Sequence, residues 1–61
     1  MQTELIKKFI GKKCVISLMT GTESFIGIIK ETESYWVTIE EEDSLRLING
    51  VAIRDIKIVN D

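Results

Sequence analysis

The apolar residues of this chain keep two different periods, and the switch between them at Gly11–Lys13 limits the fold more than any single motif. In the opening "TELIKKFIG", Leu5, Ile6, Phe9 and Ile10 fall at helical spacing on one face. Thr3 is placed to cap that helix and Gly11 to stop it, so the spacing predicts a helix over about residues 3–10. Two turns do not survive alone in water, and the apolar stripe must therefore dock on something.

From Lys13 the period is two. In "KCVISLMTG", Cys14, Ile16 and Leu18 point one way while Val15, Ser17 and Met19 point the other. After Gly21, "ESFIGIIKETE" sets Phe25, Gly27 and Ile29 against Ile26, Ile28 and Lys30, and a glycine inside such a run marks a bend. "YWVTIEE" reads as a third strand, with Tyr35, Val37 and Ile39 on one face and Trp36 and Thr38 on the other. A polar loop "EEEDS", a strand "LRLI", a turn at Asn49-Gly50 and a last strand "AIRDIKIV" complete the chain. The expectation is one mainly β domain over 1–61: a short N-terminal helix, then five short strands within 13–59 forming a strongly bent antiparallel barrel of SH3-like type. Cys14, Ile16, Leu18, Phe25 and Ile29 are its expected core.

A single domain of 61 residues buries only about 60% of its unfolded surface and usually needs a further source of stability. One cysteine and no histidine leave neither an internal disulfide nor a zinc-type ligand set. Association between copies is what remains. Val15, Met19, Ile26 and Ile28 oppose the core phase of the first two strands, so either the helix covers them, they stand exposed, or a second subunit does the covering. The lone thiol fits a reducing cytoplasm. No run approaches the ~18 apolar residues of a membrane span, and "FIGKKCVI" interrupts any signal-peptide core with charge, so no membrane association is expected.

The formal charge is −2, without a global basic signature. It is segregated: Lys7, Lys8, Lys12 and Lys13 lie early, and Glu31, Glu33 and Glu40–Asp43 lie in the middle. Such a dipole is compatible with an anion site at the basic end, and equally with ordinary solvated faces.

Several of these features share an order. Cys14, Ile16, Leu18, Gly21 and Gly27 precede Ile48-Asn49-Gly50 and the spaced Ile53 and Ile56. In that order the chain resembles the Sm-like (LSm and Hfq) family of small barrels over nearly its whole length. The resemblance implies a five-stranded bent sheet capped by a helix, with the fourth strand of one copy pairing with the fifth of the next in a homo-oligomeric ring. On that reading Leu45, Leu47, Ile53, Ile56 and Ile58 are the expected subunit interface. The resemblance also implies single-stranded RNA as a partner, held by base stacking from the loops after strands two and four. Carried onto this chain, those positions are Ser34, Tyr35, Trp36, Asn49 and Gly50, with Tyr35 or Trp36 as the stacking platform and Ser34 and Asn49 as hydrogen-bonding groups. Lys12 and Lys13 are candidate phosphate contacts. The chain departs from the family pattern where Asn49 replaces the arginine before the glycine, and the asparagine of the earlier loop is missing. Fewer cations weaken the sequence-independent attraction for RNA, so a structural or protein-interaction module of the same fold is the alternative.

Catalysis is not expected. The carboxylates cluster in a polar loop without histidine, and Cys14 falls on the core phase with no base to activate it. Glu40–Asp43 lacks the glycine and spacing of a calcium loop. No metal, cofactor or small-molecule substrate is expected. Arg46 and Arg54 are expected to pair with that acidic cluster or with a neighbouring subunit.

Overall fold

The computed structural model describes residues 1–60. A single α-helical turn, α1 (Thr3–Ile6), runs into a 3-10 turn over Lys7–Phe9. Five strands follow: β1 (Lys13–Leu18), β2 (Ser24–Glu33), β3 (Trp36–Glu40), β4 (Leu45–Asn49) and β5 (Ile53–Ile58), with a second 3-10 turn over Gly50–Ala52. They form one antiparallel sheet in the order β4-β3-β2-β1-β5. The mainly β architecture expected from the alternating apolar residues is present. The sheet is not closed, however: β4 and β5 are its two edges, and alternation along a strand carries no information about whether first and last strands meet.

The ten-residue β2 is the spine. Its first half pairs with β1, its second half with β3, and Ile28 has neighbours on both sides, Lys13 and Glu40. Gly27 makes the bend possible. A β-carbon there would collide with the Ile39 side chain and stand 3.0 Å from the Glu40 carbonyl oxygen, so β2 and β3 can approach this closely only because the side chain is absent. A register shift between Ile29 and Glu31 sharpens the curl just beyond.

The inner face of the curled sheet carries the core. Ile6, Cys14, Ile16, Ile29, Val37, Ile39 and Ile53 are fully buried or nearly so, with Phe9, Leu18, Phe25, Ile48 and Ile56 packed around them. Leu18 and Phe25 are thus half-buried and not central as the sequence implied, and the Phe25 ring is capped by the Arg46 guanidinium 4.4 Å from its centroid. The helix contributes Ile6 to this inner side, so it covers the core and not the opposite face. Val15 and Ile28 remain half-buried there, while Ile26 and Met19 are exposed.

The expected N-cap is displaced. Gln2 precedes the helix and makes no side-chain cap, whereas Thr3 is already helical and its hydroxyl donates to the Ser34 carbonyl at 2.7 Å. Thr3 is one position past the cap, and its hydroxyl is used as a donor to a tertiary carbonyl. Leu5 and Ile10, placed on the apolar stripe by their spacing, are exposed, because one turn of α-helix followed by a 3-10 turn does not hold four residues on one face. Gly11 ends the segment at φ +87 and donates to the Ile29 carbonyl at 2.7 Å, tying the helix exit to β2.

Filling the space at Gly27 tests the packing argument. Gly27→Val is expected to lower the urea midpoint by an amount equivalent to about 1–3 kcal/mol or more, since the added atoms displace the buried Ile39 side chain and the Glu40 carbonyl; an unchanged midpoint would show that the bend does not depend on that contact.

Candidate functional site

The loops singled out by the sequence do meet. The hairpin between β2 and β3 is two residues long, Ser34-Tyr35, and Glu33 pairs with Trp36 across its base. Trp36 in turn pairs with Asn49 at the end of β4. The Gly50 amide then donates to the Tyr35 carbonyl at 2.6 Å, and the Val51 amide donates to Asn49 Oδ1 at 2.9 Å. Asn49 is therefore the cap of the 3-10 turn, a role its side-chain oxygen fills for a local reason: Asn accepts readily from a backbone amide two residues on. Gly50 has its own constraint. A β-carbon there would lie 3.2 Å from the Met1 carbonyl, the Thr3 methyl and the Tyr35 carbonyl, so three segments converge on a position that only glycine fills comfortably.

The N-terminal segment closes this arrangement. The Met1 amino nitrogen donates to the Gly50 carbonyl at 2.9 Å and Thr3 to Ser34 at 2.7 Å. An open cleft of about 470 Å³ results, lined by Met1, Gln2, Thr3, Glu4, Tyr35 and Val51. Tyr35 and Val51 are 69% and 66% exposed, so two apolar surfaces are presented on a backbone that hydrogen bonds hold still. Lys7 donates to the Glu4 carboxylate at 2.7 Å and holds it below the ordinary carboxyl range, which keeps a negative charge at the cleft edge. Val51, Gln2 and Glu4 were not picked out by the sequence. Nothing local distinguishes them, because only the docking of the N-terminal segment brings them to the loops.

Trp36 stands elsewhere. Tyr35 belongs to the turn and not to β3, so strand alternation does not govern the pair, and both rings are exposed. Val37 and Ile39 face the core, which sends Trp36, Thr38 and Glu40 to the outer face. Cross-strand partners share a face, so Trp36 stands there with Glu33, Glu31, Leu45 and Leu47. One aromatic lines the cleft; the other sits among carboxylates.

Lys12 and Lys13 do not join either ring. Lys13 pairs with Ile28, in the middle of β2, whereas the hairpin lies at that strand's far end. Of the residues expected at a subunit contact, Leu45 and Leu47 are exposed, Ile58 is 39% exposed and Ile56 half-buried, but Ile53 is 1% exposed and its side chain belongs to the core. Arg46 pairs with Glu41 at 3.0 Å as expected, while Arg54 pairs with its neighbour Asp55 at 3.2 Å and not with the Glu40–Asp43 cluster. Among the described residues no group of three or more His, Cys, Asp and Glu is placed to hold a metal ion, and no helix is long and apolar enough to cross a membrane. Compared with protein-family models, with curated proteins and with solved structures, the chain matches none.

Two measurements check the local physics. Ser34 holds φ +55, the left-handed region that costs a non-glycine residue about 1–2 kcal/mol, so Ser34→Gly should raise the urea midpoint by a few tenths to about 1 kcal/mol after the added unfolded-state entropy is subtracted. Cys14 is buried and burial pushes its thiol above the usual 9.0. Its contribution to stability is complete below that value and is lost as pH rises from there toward the folded value. Alkylation in native buffer should accordingly be far slower than in denaturant; equal rates would place the thiol at the surface.

Proposed function

We propose that this chain is a non-catalytic module of Sm-like architecture that works as a homo-oligomer and binds single-stranded RNA at the Tyr35 cleft. The observation that carries the reading is that the hairpin at Ser34-Tyr35, the turn at Asn49-Gly50 and the N-terminal segment are hydrogen-bonded to one another, leaving the exposed Tyr35 in the cleft they form. An unpaired base offers a flat apolar face and a polar edge; Tyr35 supplies a stacking surface in this reading, and Gln2 and Thr3, which line the same cleft, supply polar groups. The two free sheet edges, β4 and β5, support association between copies, since an unpaired strand edge is a template for another strand.

A protein-interaction role is the second reading, and Trp36 favours it. That ring stands beside Glu31 and Glu33 on the outer face, with Leu47 one strand over. Trp36 does not line the cleft that holds Tyr35, so it is withdrawn from the RNA site in this proposal.

Titration of labelled uridine-rich and adenine-rich oligomers, read by anisotropy at low and physiological salt, separates the two. Binding that weakens about 5- to 100-fold in Tyr35→Ala and is unchanged in Trp36→Ala supports the RNA reading. Absence of any change in anisotropy at low salt overturns it and leaves the interaction module. Native mass spectrometry supplies the subunit number, and a strict monomer at micromolar concentration removes the oligomer from the proposal.

A further inference from the structure

We infer that the outer face of β3 and β4 seats a cationic amphipathic helix from a partner protein, its apolar stripe on Leu45, Leu47 and Trp36 and its lysines or arginines against Glu31 and Glu33. The inference rests on the protein-interaction reading above and deepens it by giving the chemistry of the partner. It uses neither the Tyr35 cleft nor the sheet edges.

The strand register lays this face out in rows across β2, β3 and β4. Glu33, Trp36 and Asn49 stand side by side; Glu31, Thr38 and Leu47 form the next row, and Ile28, Glu40 and Leu45 the third. The β4 column is therefore apolar at Leu45 and Leu47, the β2 column carries carboxylates at Glu31 and Glu33, and Trp36 lies between the columns. Leu45, Leu47 and Trp36 are 68%, 60% and 46% exposed, and large apolar side chains gathered on one face, unlike scattered ones, mark an interaction surface. Neither Glu31 nor Glu33 has an ion-pair partner among the described residues. The cations of this side face other acids. Lys30 reaches Glu40 at 4.0 Å, Arg46 holds Glu41 at 3.0 Å, and Lys13 lines a neighbouring cleft with Glu40, Glu41 and Glu42. Negative charge without a counter-ion is thus left at the Trp36 end.

The dimensions suit a helix. The β2 and β4 columns lie two strand spacings apart, about 9–10 Å, close to the roughly 10 Å diameter of a helix. The three rows span about 13 Å along the strands, the length of roughly nine helical residues. A helix laid along β3 covers the leucines with one flank and the carboxylates with the other, and the Trp36 ring offers its face to a cation between them. Apolar burial supplies the attraction for any such helix. The two carboxylates select the sign of its charge, because an acidic helix of the same apolar pattern would set like charges against them.

Trp36 is the only tryptophan of the chain, so its fluorescence reports on this face directly. The probes are two synthetic amphipathic helices of one apolar pattern, leucine with lysine and leucine with glutamate. The lysine helix is expected to shift the Trp36 emission to the blue and to bind the wild-type chain about tenfold or more tightly than the glutamate helix at low salt, a difference that shrinks by about 500 mM salt. Glu31→Gln with Glu33→Gln is expected to weaken the lysine helix about 3- to 10-fold, and Leu45→Thr with Leu47→Thr about tenfold or more. Glu23→Gln, at the far end of β2, is expected to leave it unchanged. All five positions are exposed, unchanged melting temperatures confirm folding, and the comparison of the two probes on the wild-type chain needs no variant. Equal binding of the two helices, or binding indifferent to Glu31 and Glu33, overturns the cationic partner while the face stands as an interaction surface. A Trp36 signal that moves with neither helix overturns the inference and the interaction reading together. A blue shift that grows with protein concentration alone, and is lost in the Leu45→Thr, Leu47→Thr variant, gives the face to a second copy and overturns the partner helix.

Discussion

The closeness of β2 to β3 at Gly27 is the contact on which the rest of the fold depends. A sheet of five short strands has to roll up before it encloses anything, and here the roll is made by one strand long enough to serve two neighbours. With a side chain at Gly27, Ile39 and the Glu40 carbonyl would be pushed away, and the inner face would open around Ile16, Ile29 and Val37. Burial of those residues, at roughly 1.5–3 kcal/mol each, is the main favourable term available to a domain without disulfide or metal. The bend thus comes first in the causal order, and the core follows from it.

Much of this is legible in the alternation of apolar residues, since Cys14, Ile16, Ile29, Val37 and Ile39 all lie in the phase that turns out to be buried. What escapes a linear reading is whatever depends on meeting distant residues. Thr3 has the chemistry of a cap, but the helix begins at Thr3 itself and its hydroxyl donates to a carbonyl thirty-one residues away in sequence. Ser34-Tyr35 lacks the glycine or asparagine that announces a tight hairpin, so Tyr35 reads as strand although it belongs to a turn. Ile53 looks like an edge residue because β5 is an edge strand, yet the register shift opposite Leu18 turns it inward. Lys12 and Lys13 are close in sequence to the helix that reaches the cleft, but the helix leads away from it before they occur.

The fold also divides what composition had merged. Adjacent aromatics invite a joint role, yet one belongs to the helix side of the sheet and the other to the opposite face. Similarly, a net charge of −2 describes neither end of the chain: carboxylates gather at the end of β2 and in the loop after β3, lysines in the N-terminal segment and at the start of β1. A surface of this kind interacts through its local fields and not through its mean.

The hydrogen bonds from Met1 and Thr3 to Gly50 and Ser34 have a kinetic consequence. One turn of helix has no independent stability, so this segment orders only after the hairpin and the 3-10 turn exist for it to grip. Its release exposes Ile6, so the segment is held by that one buried side chain together with these bonds. Its detachment would unlatch one wall of the cleft and leave the strands paired, a sub-global opening visible as early amide exchange at Leu5 while the β2 amides, and the Gly50 amide bonded to Tyr35, stay protected.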